Sequence, residues 1–88
     1  MSQERIRAAL VEAFAPGEVE VIDDSAAHVG HAGAREGGHY SVRIVSARFA
    51  GRPNLERHRL VYDALAPFMG RGGIHALAIV ARAPGEPL

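Results

Sequence analysis

A chain of 88 residues, 48% apolar and 23% charged, has room for one small globular domain and too little interior for a deep substrate cavity. It contains no cysteine, which excludes disulfide frameworks, thiolate nucleophiles and any iron–sulfur or zinc site built on its own sulfur. Ten basic residues, all arginine, balance ten acidic ones, so the broad positive surface typical of nonspecific nucleic-acid binding is not expected.

Ile6, Ala9, Leu10, Ala13 and Phe14 recur at helical spacing, while Arg5, Arg7 and Glu12 fall off that stripe, so the spacing predicts an opening helix. Ser2 suits its cap and Pro16-Gly17 its stop. Glu18 to Ser25 begins by alternating apolar and charged residues and reads as a first strand. Ala26 to Gly38 has four glycines and neither the period of a strand nor that of a helix, and is expected to be a loop longer than a hairpin needs. Tyr40 to Ser46 alternates again, giving a second strand antiparallel to the first.

Val61, Ala64, Leu65, Phe68 and Met69 restore the helical stripe, with Arg57 on the same face one turn earlier. Pro53 suits a first turn and Asn54 a cap, which predicts a short helical turn ahead of the long helix. Pro67 predicts a kink or an end near Ala66, because it removes a backbone donor and clashes with the preceding turn. Ile74 to Arg82 is almost continuously apolar, as in a strand covered by neighbours and reached through a helical crossover. Ala83 to Leu88 reads as a frayed, flexible tail. The order helix, strand, strand, helix, strand defines a single α+β domain over residues 1–88, with helices packed on one face of a three-stranded sheet. No apolar run approaches the roughly 18 residues of a membrane-spanning helix, and a cytoplasmic protein is expected.

The chemistry-bearing residues are few. Five histidines, His28, His31, His39, His58 and His75, supply nitrogen donors suited to transition metals. The first three frame the glycine-bearing loop, where solvated surface residue and metal ligand are both open readings. His75 stands where a glycine hinge meets an apolar strand, so its ring is expected to be at least partly covered, either as a half-buried histidine bonded to a carbonyl or as a ligand. Arg52, Arg57, His58 and Arg59 gather near the start of the second helix, where the helix dipole disfavours positive charge. Pairing of Arg59 with Glu56 or Asp63 would offset this, as would a phosphate or an acidic partner. Gly30-His31-Ala32-Gly33 and Gly70-Arg71-Gly72-Gly73 lack the Lys-Ser/Thr of a phosphate loop, and no nucleophile elbow is present. No catalytic residue is predicted.

Four segments occur in an order and spacing that resemble the BolA family: Asp23-Asp24-Ser25, Ile44-Val45-Ser46-Ala47-Arg48-Phe49-Ala50-Gly51, Arg57-His58-Arg59-Leu60-Val61-Tyr62 and Ile74-His75-Ala76-Leu77-Ala78-Ile79. The resemblance runs from about Arg5 to Pro84 and implies a class II KH-like fold, αββαβ. It further implies a non-enzymatic partner of monothiol glutaredoxins that shares a 2Fe–2S cluster, with the glutaredoxin cysteine and glutathione supplying thiolates and this chain supplying histidine. By position it assigns one ligand to His75 and the other to His28, with His31 as the alternative, and a structural role to His39. No cofactor is expected in the isolated chain, and a homodimer is left open. Some members of the family are described as transcriptional regulators, which makes DNA binding through Arg52, Arg57 and Arg59 the alternative function. The G-x-x-G clamp of nucleic-acid-binding KH domains is replaced here by Gly51-Arg52-Pro53-Asn54, without the second glycine. A third possibility, a zinc site built on histidines alone, would carry stoichiometric metal in the isolated protein.

Overall fold

The computed structural model describes residues 3–24, 38–70 and 72–88. Helix α1 (Gln3–Phe14) leads into strand β1 (Gly17–Asp23), which pairs antiparallel with β2 (Gly38–Ser46). A 3-10 turn, Ala47–Phe49, precedes helix α2 (Asn54–Leu65), a second 3-10 turn, Ala66–Phe68, follows it, and strand β3 (Ile74–Arg82) closes the sheet parallel to β2. The strand order is β1-β2-β3. The expected α+β layer is therefore present.

Alternation decides which way each strand faces. Along β2, Tyr40, Val42, Ile44 and Ser46 are buried, whereas the intervening Ser41, Arg43 and Val45 are not. The buried set meets Ile6, Leu10 and Phe14 of α1 and Val61 and Leu65 of α2 in one core, and among the described residues the opposite face of the sheet carries no helix. Phe49, fully buried, packs its ring 5.0 Å from that of Phe14 and so ties the turn after β2 to the last turn of α1. That helix end is also closed by polar groups. Ser46 Oγ donates to the Phe14 carbonyl at 3.0 Å, and Arg48 Nη1 donates to the Ala13 carbonyl at 2.6 Å while its guanidinium lies over the Phe14 ring. These contacts satisfy carbonyls that a helix terminus leaves without intrahelical donors.

Several expectations are corrected. Asn54 is the first residue of α2 and Pro53 its cap, with no side-chain cap bond, and the short turn ahead of the helix lies at Ala47–Phe49, where Ser46 Oγ accepts from the Arg48 amide. Pro67 does end α2, within a 3-10 turn that tolerates its missing donor. Strand β3 pairs only with β2 among the described residues, so it is an edge strand rather than a covered one, with Ala76 and Ala78 exposed along it. Gly73 is needed before it, since a Cβ there would stand 2.1 Å from the Phe68 carbonyl oxygen.

The C-terminal segment is not a frayed tail. Ala83 is buried, and Glu86 receives both terminal nitrogens of Arg57, Nη1 to Oε1 at 2.6 Å and Nη2 to Oε2 at 2.9 Å. Arg57 also donates to the carbonyls of Arg52 and Ala81, and the Ala83 amide donates to Glu86, so one guanidinium joins the start of α2, the end of β3 and the turn beyond it. These bonds, the Arg57 contact first and the Ala83 amide next, hold the Glu86 carboxyl at about 2 against an ordinary 4.5. A carboxyl with a lowered native pKa stabilises the fold fully above its unfolded value and loses that contribution as pH falls toward about 2. Urea midpoints measured from pH 6 down to pH 3 are therefore expected to fall more steeply for the parent than for Glu86→Gln. Parallel pH profiles for the two proteins would contradict this.

Candidate functional site

The mixed sheet gathers three chain segments at one end. Because β1 and β2 run in opposite directions, Asp23 of β1 faces Tyr40 near the start of β2, and because β3 is parallel to β2, Ile74 at its start faces Gly38. The connection from β1 to β2 therefore leaves and returns beside the first residues of β3. Its flanks are pinned there: the Asp24 amide donates to the His39 carbonyl and the Gly38 amide to the Gly73 carbonyl, each at 2.7 Å. His28 and His31, the expected loop ligands, lie outside the described residues.

His75 occupies an irregularity in the β2–β3 pairing. Gly38 is matched to Ile74 and the next residue, His39, to Ala76, so His75 has no counterpart on β2. An unmatched residue of this kind redirects its side chain relative to the regular pleat. His75 is exposed rather than half-buried, and its ring centroid lies 5.5 Å from that of His39, the planes tilted by 51°. His39, on the central strand, is half-buried, with its Nε2 shielded from solvent.

A shallow hollow beside this pair is lined by Asp24, His39, Tyr40, Ala76, Leu77 and Ala78. Ser41 Oγ donates to Asp24 Oδ2 at 2.5 Å across its rim. Burial, with a smaller contribution from Asp23, pushes the Tyr40 hydroxyl above its usual pKa, keeping it neutral at physiological pH. Among the described residues, no three His, Asp or Glu side chains come together as a metal site. The nitrogen donors brought together here among the described residues are the imidazoles of His39 and His75.

The arginine cluster divides. Arg57 is committed to Glu86 and to backbone carbonyls, so it is removed from the expected partner-binding set. Arg52 is exposed and donates to the Arg48 carbonyl, Arg59 is exposed, and His58 is half-buried. The expected pairing of Arg59 with Glu56 or Asp63 does not form among the described residues, whereas Arg57 pairs with Glu86 and Arg43 with Glu20, the latter at 3.7 Å. Leu55 and Tyr62 are exposed on the same helix as Arg59. Sequence reasoning placed Arg57 on the apolar stripe but missed Glu86, 29 residues away, which pairs with it.

Two helices packed on one face of a β1-β2-β3 sheet make a class II KH-like α+β domain, and an exposed histidine stands at the sheet end where the β1–β2 connection is anchored. Residues 10–86 match the family described as BolA-like protein. Human BolA-like protein 1 is 44% identical over 81 residues, an alignment covering 92% of this chain and 57% of that protein. Among solved structures, the BolA domain of SufE1 from Arabidopsis thaliana superposes with a TM-score of 0.81 at 41% identity, covering 97% of this chain and 94% of that one. BolA1 from the same plant gives a TM-score of 0.82 at 35% identity, covering 100% and 97%. The chain belongs to the BolA family. Among the described residues, no helix is long and apolar enough to cross a membrane.

Proposed function

We propose that this chain is a non-enzymatic, cytoplasmic adaptor that binds a monothiol glutaredoxin and co-ligates a shared 2Fe–2S cluster, serving iron–sulfur trafficking or iron homeostasis. The observation that carries the reading is the placement of His75. It is exposed and out of register at the sheet end where the segment bearing His28 and His31 is anchored by Asp24 and Gly38. His75 would be one ligand and His28 the other, with His31 its alternative, while the glutaredoxin cysteine and glutathione supply sulfur. When bound, the cluster supplies one-electron chemistry, and nitrogen in place of sulfur raises its reduction potential. This chain's part is to present the His75 imidazole from the sheet end, beside a sheet face that no helix covers among the described residues.

Reconstitution under anaerobic conditions with a monothiol glutaredoxin, glutathione, iron and sulfide is expected to give a brown one-to-one complex that co-elutes in size exclusion and has a visible circular dichroism spectrum distinct from that of glutaredoxin alone. A mixture that elutes as separate proteins, with the spectrum of glutaredoxin alone, overturns the reading. Direct DNA binding is the second reading, favoured by one observation: Arg59 is exposed without a carboxylate partner among the described residues, near the exposed Arg52. It would show as affinity falling steeply with salt.

A further inference from the structure

The two histidines at the sheet end differ in how firmly they are held. His39 sits on β2, the central strand, paired on one side with β1 and on the other with β3, and its carbonyl accepts the Asp24 amide. Its ring is half-buried, with Nε2 shielded. His75 sits on the edge strand, has no counterpart in the β2–β3 register, and is exposed. A side chain at such a position has two free torsions and solvent on several sides, so the backbone alone leaves its ring direction open. A useful ligand must be held within about 0.5 Å and 10–20° of its working geometry. Among the described residues, the His39 ring lies beside it, centroids 5.5 Å apart and planes tilted by 51°.

We propose that His39 is a positioning residue for His75: a ring fixed on the central strand forms the wall that selects the direction in which the edge-strand imidazole leaves the sheet. The inference rests on the reading of His75 as a ligand, but it concerns the apo protein and is tested there first. The role belongs to the ring as a packing surface. Phenylalanine should replace it, and a residue without a ring should not.

The experiment compares the parent with His39→Ala and His39→Phe, with His39→Thr, a residue suited to strands, taking the place of alanine if that variant fails to fold. In the isolated proteins, NMR couplings across the His75 Cα–Cβ bond report its rotamer. One dominant rotamer is expected in the parent and in His39→Phe, and averaged couplings in the ringless variant, while amide spectra show all three folded. In the presence of glutaredoxin and cluster, the ringless variant is expected to bind about tenfold to a hundredfold more weakly, the usual penalty for losing a group that orients a ligand, and His39→Phe to restore binding. The inference is overturned if the ringless variant keeps the parent's couplings. It is equally overturned if His39→Phe keeps the rotamer yet binds as weakly as the ringless variant, which would make His39 a nitrogen donor itself. If the parent forms no complex at all, the functional reading fails and the couplings alone decide the role of His39.

Discussion

Replacing His75 with alanine is expected to abolish the shared chromophore while leaving the domain folded. The two halves of that expectation have separate physical grounds. The side chain is exposed on an edge strand and absent from the buried core, so its truncation should change unfolding free energy by no more than about 0.5 kcal/mol, the usual range for surface positions away from special contacts. Its loss as a ligand is not compensated locally, because among the described residues no third His, Asp or Glu joins the pair to make a site. Even groups that only orient a ligand cost roughly tenfold to a hundredfold in metal affinity when removed, and a ligand itself should cost at least that much. Visible circular dichroism of the reconstituted mixture, beside urea unfolding of the isolated variant, measures both. A variant that retains the heteromeric spectrum would exclude His75 as a ligand, and one that fails to fold would show that the residue belongs to the core after all.

Phe49→Ala is expected to produce the largest loss of stability of any single truncation outside the helices. Phe49 is fully buried, stacks at 5.0 Å on Phe14 and sits on the 3-10 turn that converts the end of β2 into the approach to α2. Truncating a buried phenylalanine costs about 3–5 kcal/mol through lost transfer energy and the cavity left behind. A domain this small falls in the lower part of the usual range of about 5–15 kcal/mol, so most of its margin would be lost. At roughly 4–8 °C per kcal/mol for domains of this length, the melting temperature should drop by about 12–40 °C. A drop of only a few degrees would mean that the cavity collapses around Phe14 and Arg48 rather than persisting.

The fold was legible from the sequence wherever its cause is local. The stripe from Ile6 to Phe14, the alternation from Tyr40 to Ser46 and the interruption at Pro67 each report directly on one element, and each corresponds to an observed one. What stayed hidden depends on distance along the chain. Nothing near Glu86 marks it as the partner of Arg57, so the segment after β3 looked like a tail; the only trace was an arginine on an apolar stripe. Strand β3 looked covered because apolar content reports burial only when the residues are large, and Ala76 and Ala78 leave an edge open. In the candidate site, the residue types were readable, but the skipped register at His75 and the ring of His39 beside it arise from how two strands pair, which no run of residues encodes by itself.

The parallel alignment of β3 with β2 has an evolutionary corollary. Both ends of the span between Asp24 and Gly38 are stapled by main-chain bonds to residues that the sheet already fixes. Substitutions or short insertions between those anchors would leave the strand pairing intact. Connection and scaffold can then diversify on independent clocks.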